Sequence, residues 1–580
     1  MRIFGTITAA NIVGPDYQEG STRGIYGAGV ARRNFYTALL RYGSFDEYHF
    51  FVPGHLSQKH IDEDNPLFQF LLVTDKVRFK PLHELRGAFA SPDYLVFHQP
   101  GGPLIAPWLY IRNQFNQNNC PITGVTHTLS YQSLLKEILS IILANPRPWD
   151  SIVCLERPAR KVMENLIHSI IENLKAQFNI ELSFQGRLDE IPLGVDTATY
   201  RPREKSLLRK RFGLPQDKTI ILWIGRFSHY DKMDLYPLLL AFKRVLLQTS
   251  SNEAILVLAG DDSRHAYAEK LRKSAGDLGI AEDVIIRTDL PRLAYPFLFS
   301  AADIFVSPSD NIQETFGQTV LEAMASGVPV VASDWEGYHI SVIHGETGFR
   351  IPTYWMECDQ SLCDFAPLSP WMLDHLYLSQ SICVDVPYLA QALTILVKNK
   401  ELRLSMGEKA RKHILRTYDW SIIIHRYEQL WEELHAIAQK HKIFYDWKQP
   451  WLRPRYFKTF QHYATAILTG NSKVRISSYG EMMFKKEELP RWYEEMNSRL
   501  SRQLIQDILN LTADWVSISY LEKQVCRQNG CSKESFLCNL LWMIKYNLLD
   551  LRHKIDSNLG GGIERAIHRR RSGRGDVKRR

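Results

Sequence analysis

The sequence is poor in the features that would place it in a membrane or in an oxidising compartment. No window of 18 or more residues is both apolar and uncharged, so no spanning helix is expected. The opening MRIFGTITAANIV lacks the long apolar core and cleavage site of a secretory leader and reads instead as a first strand. Only eight cysteines are spread over 580 residues, at positions 120, 154, 358, 363, 383, 526, 531 and 538. They make no disulfide framework and fit a reducing cytoplasm. The spacings between Cys526, Cys531 and Cys538 match no standard zinc pattern, which leaves ordinary helix thiols as the simpler reading.

Charge of one sign is also scarce outside one segment. The chain carries a net +8, and residues 564–580 hold eight Lys/Arg against two Asp/Glu, a net +6. The remaining +2 is spread over 563 residues, so the globular part carries no polyanion-binding signature.

What the sequence does contain is alternation. Short apolar runs alternate with amphipathic helices in two separate stretches, the pattern of parallel α/β sheets. In residues 1–200 the expected strands are 2–8, 48–52, 94–98, 122–127 and 152–156. In residues 201–445 they are 220–224, 254–259, 284–287, 304–307 and 330–333, with a helix over 235–247. The fold class is therefore α/β, with two doubly wound Rossmann-like domains facing a cleft, where ligands bind at the carboxyl ends of the strands. An irregular insertion at 353–384 interrupts the second domain. Residues 446–580 read as a mostly helical extension. Within it, a helix–turn–helix rhythm breaks at Gly530 and resumes with Ser532 as a cap, and residues 536, 537, 540, 541, 543 and 544 form the apolar face. Gly560–Gly562 and the basic tail read as flexible.

Four constellations carry chemistry. In NIQETFGQTVLEAMASGVPVVAS (311–333), Glu314 falls at the end of a parallel strand, and a helix starts near Phe316 and Gly317. Free backbone N–H groups around Phe316, Gly317, Gln318 and Thr319 suit a phosphate or diphosphate, and Glu322, further along the helix, suits a vicinal diol such as a ribose. The bland alternative is a solvated or salt-bridged Glu322. In WIGRFSHYDKMD (223–234), Arg226 and Lys232 stand at the mouth of the same sheet, placed to neutralise a diphosphate; the alternative is pairing with Asp231, Asp234 or surface carboxylates. Gly24, Gly27 and Gly29 precede a helix and make a loop able to meet a ligand, although GxGxxG is absent. His127 ends a strand in PITGVTHTLSY (121–131); a lone histidine there is either structural or faces the cleft.

These pieces, in this order, resemble a retaining family-four glycosyltransferase of the GT-B fold. The resemblance rests on the glycine loop at 24–29, THT at 126–128, PLGVD at 192–196, GRF…DK at 225–232, LAGDD at 258–262, the E-x7-E stretch from Glu314 to Glu322 running on to GVPVVAS, and GETGF at 345–349. It implies an enzyme, in all expectation a hexosyltransferase, that takes a sugar from a nucleotide-diphosphate sugar to an acceptor it does not identify: a glycan, a lipid-linked sugar or a small molecule. Arg226 and Lys232 would hold the diphosphate, and Glu314 the donor sugar. Glu322 would hold the ribose. Phe316, Gly317, Gln318 and Thr319 would lie near the phosphates and sugar, His127 would touch the sugar, and Gly27 and Gly29 would complete the cleft. No metal and no cofactor beyond the donor is implied. The loop after Lys232 reads DKMD where many relatives have glycine, and the 353–384 insertion and C-terminal extension have no counterpart.

Rival readings are weaker. A metal-dependent transferase needs Asp-x-Asp after a strand, and the formal match Asp62–Asp64 follows none. A phosphorylase-like enzyme would need a pyridoxal-bearing lysine, for which no motif is present. An inactive sugar-nucleotide-binding or regulatory protein is the alternative function, its C-terminal helical module docking on a protein, membrane or nucleic acid. A protein or peripheral membrane contact through 451–580 is the partner expected there, rather than nucleic acid, and the location expected is cytoplasmic, with or without attachment at a membrane surface.

Overall fold

Two parallel sheets with the same strand logic organise the larger part of the chain in a computed structural model. The structure describes residues 1–7, 27–52, 75–115, 118–249, 253–368, 373–442, 455–486 and 488–552. Residues 1–448 form one compact unit and residues 449–580 another.

In the first unit, β1 (Ile3–Ile7), β2 (Glu47–Val52), β3 (Val77–Pro81), β4 (Tyr94–Gln99), β5 (Ile122–Val125), β6 (Ser151–Cys154) and β7 (Arg187–Glu190) form a seven-stranded sheet ordered β3-β2-β1-β4-β5-β6-β7. The second sheet contains β8 (Thr219–Ile224), β9 (Ala254–Ala259), β10 (Val284–Arg287), β11 (Ile304–Ser307), β12 (Val330–Ser333) and β13 (Gly348–Ile351), ordered β10-β9-β8-β11-β12-β13. All neighbours run parallel. Each sheet reverses its winding once, between β1 and β4 and between β8 and β11, which is where doubly wound folds open a binding crevice.

The central strands are apolar throughout because both of their faces are covered. Every residue of β8, β9, β11 and β12 is buried. β3, β7 and β13 were not among the expected strands. β3 and β7 are edge strands with no fully buried residue, and the edge strand β13 has one at each end. The glycines expected to precede the first helix begin it instead: Gly27 is its first residue and Gly29 its third, in Gly27–Tyr42. Gly24 lies outside the described residues, as do Asp62–Asp64 and the basic tail.

The long helix Trp420–Lys440 follows the second sheet in sequence but packs on the first domain. Trp431 Nε1 donates to Thr123 Oγ1 at 3.1 Å, and Glu428 accepts from the Ser44 backbone N–H at 2.6 Å. The 353–384 insertion is closed at its base by an antiparallel pair, β14 (Thr353–Tyr354) with β15 (Cys383–Val384).

The second unit carries a three-stranded antiparallel sheet ordered β17 (Val516–Ser517), β16 (Lys473–Ile476), β18 (Leu549–Arg552), with helices Arg502–Asn510, Ile518–Asn529 and Lys533–Lys545. Gly530 ends the second of these helices at φ 64°, and Ser532 caps the third by accepting from the Ser535 N–H. Phe536, Leu540 and Met543 are buried, as their spacing predicts. Leu541 is not: it is half exposed, because a 3.6-residue period turns it away from the face that the other three share. Among the described residues no helix is long and apolar enough to cross a membrane.

Candidate active site

The crevice between β8 and β11 collects the charged residues. Lys232, on the loop after β8, donates from Nζ to Glu314 Oε2 on the loop after β11, and both side chains are largely buried. Glu314 Oε1 accepts the Gly317 N–H at 3.0 Å, so one carboxylate ties together the cation and the start of the next helix. The Tyr338 hydroxyl faces Ser307 Oγ at 2.8 Å, and burial together with the Glu314 charge raises its pKa.

Arg226 leaves β8 beside Gly225. Its Nη1 donates to Asp231 Oδ2 at 2.8 Å, one of the pairings weighed from the sequence. Burial alone would raise the Asp231 carboxyl. The Arg226 charge and the hydrogen bonds from Ser228 and Arg226 outweigh it and hold the group ionised below its usual range. The cation is thus anchored by a permanent counter-charge.

The helix Gln318–Ala325 starts where Gly317 takes φ 84°, and a Cβ on Gly317 would lie 1.9 Å from Tyr338 Cε1. Only glycine satisfies both the turn and the contact. The N–H groups of Gln318 and Thr319 open the helix and have no carbonyl within it to bond. Gln318 Nε2 donates to Gly194 O in PLGVD at 3.1 Å, and Phe316 is buried with its ring edge-on to Tyr418. Glu322 is 5% exposed. It sits in a helix whose six consecutive residues Val320–Ala325 are all buried, so no solvated face was available to it. Burial pushes its carboxyl up to about 7, opposed by the Arg292 charge and by a hydrogen bond with Tyr200.

The first domain closes on this loop. β5 ends at Val125, two residues before His127 rather than at it. His127 is buried, its Nε2 donates to Pro100 O at 2.6 Å, and its carbonyl accepts from Thr315 Oγ1. Burial lowers its pKa, with the Pro100 bond opposing and Arg32 assisting, so the ring is neutral near pH 7. Ser130 Oγ donates to Gln313 Oε1 at 2.7 Å, and Gln313 Nε2 reaches Thr128 Oγ1 at 3.3 Å. The structure therefore gathers Arg226, Lys232, Glu314, Phe316, Gly317, Gln318, Thr319 and His127 around one loop, with Glu322 one turn further along. Gly29, by contrast, is open among the described residues: a Cβ added there would meet none of them within 4 Å.

Sequence reasoning missed Tyr338, Glu336 and His375. The first two lie in DWEGY, directly after a buried strand, and that position was the signal available. His375 sits inside the irregular insertion, and nothing in its neighbourhood marks it. Among the described residues, several buried polar atoms around the loop have no hydrogen-bond partner: Ser309 Oγ, Thr319 Oγ1, Ser333 Oγ and Glu336 Oε2. A cavity of about 500 Å³ lies beside DWEGY, lined in part by Asp334, Trp335, His339, Arg350 and Tyr388.

Residues 204–361, which include the Arg226–Lys232 loop and the whole of Glu314–Glu322, match the model of the family described as glycosyl transferases group 1. Over that stretch this chain is similar to the group 1 glycosyl transferases. D-inositol 3-phosphate glycosyltransferase of Acidothermus cellulolyticus is 33% identical over 167 residues, covering 28% of this chain and 37% of that protein. The enzyme of the same name from Stackebrandtia nassauensis is 29% identical over 267 residues, covering 43% and 59%. The chain thus spans between about a third and three-fifths of the length of these curated relatives. Sucrose-phosphate synthase from Thermosynechococcus elongatus superposes with TM-score 0.47 and 19% identity, over 75% of this chain and all of that one. That likeness is loose, and the assignment of two Rossmann-like domains rests on the two sheet orders.

Proposed function

We propose that the chain transfers a hexosyl group from a nucleoside-diphosphate sugar to an acceptor, with retention at the anomeric carbon and without a metal ion. The observation that carries this reading is the Lys232–Glu314 ion pair at the switch point, with Arg226 on the same loop as Lys232. An arriving diphosphate competes with Glu314 for Lys232. The cation turns to the phosphates, and Glu314 is released to accept hydrogen bonds from the sugar. One rearrangement thereby couples donor binding to assembly of the sugar site.

The anomeric C–O bond to the diphosphate then breaks as the acceptor oxygen bonds to the same face. The acceptor proton passes to the leaving phosphate oxygen. Arg226, Lys232 and the N–H groups opening Gln318–Ala325 stabilise the charge that develops on the diphosphate. Neutral His127 faces the sugar from the first domain, Glu322 holds the ribose, and Gly27 and Gly29 border the cleft. The family match over the residues that form this loop supports the assignment.

The test is thermal stabilisation by a panel of UDP-, GDP- and ADP-sugars, followed by nucleotide release from any donor that binds. Wild-type turnover that is lost in Arg226→Ala and Glu314→Ala supports the reading. Equal turnover in all three proteins, on every accepted donor, would sink it.

A further inference from the structure

The turn between β12 and the helix Tyr338–Ser341 is built tightly around one residue. Trp335 Nε1 donates to Asn311 O at 3.1 Å, which fixes the turn to the loop after β11. Gly337 approaches so closely that a Cβ there would sit 3.0 Å from both Cα and O of Phe316. Tyr338 is held by Ser307. Between these anchors Glu336 adopts φ 46°, the left-handed region that a residue with a long side chain occupies under strain.

Among the described residues, the side chain finds nothing to offset that strain. Glu336 Oε2 is buried and has no hydrogen-bond partner. Burial pushes its carboxyl up to about 7, and the like charge of Glu314 adds to that rise. Glycine would relieve the backbone, and a neutral residue would relieve the burial. A carboxylate kept against both, on a turn fastened to the loop that carries Glu314, is placed for a ligand.

We propose that Glu336 is a specificity-determining residue that accepts a hydrogen bond from a hydroxyl of the transferred sugar, alongside Glu314. This rests on the donor reading above and deepens it. Two carboxylates side by side recognise a neutral, hydroxyl-rich hexosyl group and disfavour a hexuronosyl group, whose own carboxylate would be a third negative charge in the same space.

The experiment compares wild type, Glu336→Gln and Glu336→Gly by calorimetric titration. The ligands are a nucleoside diphosphate, its neutral hexose conjugate, the monodeoxy analogues of that conjugate and the matching hexuronate conjugate. Glu336→Gly should melt at a higher temperature than wild type, because glycine accepts φ 46°, so lost binding cannot be put down to unfolding. Affinity for the bare nucleoside diphosphate should change less than twofold. The extra affinity conferred by the hexose should fall at least tenfold in both variants, the penalty for one particular deoxy position should disappear, and discrimination against the hexuronate should shrink. If the variants keep the full set of deoxy penalties and the hexuronate discrimination, the assignment of Glu336 is wrong although the donor reading stands. If wild type binds none of the nucleotides, the donor reading fails and this inference falls with it.

Discussion

His375 Nε2 lies 2.8 Å from Ser130 Oγ, and Ser130 in turn donates to Gln313, the residue before Glu314. A buried histidine from the insertion is thus one hydrogen bond from the first domain and two from the loop that carries the candidate sugar-binding carboxylate. Because the Ser130 hydroxyl donates to Gln313, His375 Nε2 is the donor in its own bond, and Asp374 lies 3.0 Å from its Nδ1. This bond is therefore a strap between the insertion and the first domain.

Removing the imidazole should loosen that strap. His375→Ala is expected to cost about 1–3 kcal/mol, the scale of a buried hydrogen bond left half made. It should raise the donor KM on the order of tenfold with a smaller change in kcat, and it should expose 353–384 to proteolysis. Limited digestion alongside initial-rate kinetics checks both. Unchanged KM together with unchanged cleavage would show that the bond positions nothing.

The ion pair between Lys232 and Glu314 makes an unusual demand on mutagenesis. Glu314→Gln removes the competitor for Lys232, so binding of a bare nucleoside diphosphate should hold or tighten. Turnover should fall by roughly 10² to 10³, the scale on which one pre-organised polar group contributes to a transition state. Calorimetry and initial rates on the same preparations separate the two effects. A parallel fall in both would mean that Glu314 serves mainly to hold the loop.

Why some of this was visible in the sequence and some was not follows from burial. β8, β9, β11 and β12 are covered on both faces and read as uninterrupted apolar runs. β3 and β7 lie at sheet edges, and VRFKP and RLDE mix charged and apolar residues because water reaches them. The site divides the same way. Arg226, Lys232, Glu314 and Gly317 follow central strands directly, so chain order alone brings them to the crevice. Glu336 and His375 depend on tertiary facts, a left-handed turn and a hydrogen bond from the insertion to the first domain, that no local pattern encodes.

Two glycines should answer oppositely to the same substitution. Gly317→Ala forces a methyl group onto Tyr338 at a backbone angle of 84°. It should destabilise the protein by several kcal/mol and abolish donor binding. Gly29→Ala fills open space in the first turn of a helix and should stabilise by about 0.5–1 kcal/mol. Whether it also weakens donor binding is the sharper readout. A loss of affinity in a more stable protein supports a ligand-facing Gly29, and intact affinity removes it from the site.

Glu322 links the site to pH. Its carboxyl rises from 4.5 to about 7 on folding, with burial the largest cause. The folded protein therefore holds this proton more tightly than the unfolded chain does. Its contribution to stability is complete below pH 4.5 and declines as pH rises towards 7, by on the order of 3 kcal/mol in total. A ribose diol donating to the ionised carboxylate has the opposite preference, so binding expels the proton. Nucleotide affinity should then climb by up to about tenfold per pH unit below 7 and level off above it. Titrations near pH 6.5, in buffers of different ionisation enthalpy, should show proton release for wild type and none from this group in Glu322→Gln. If the glutamine variant releases the same number of protons, Glu322 does not hold the ribose, and Tyr200 is its whole purpose.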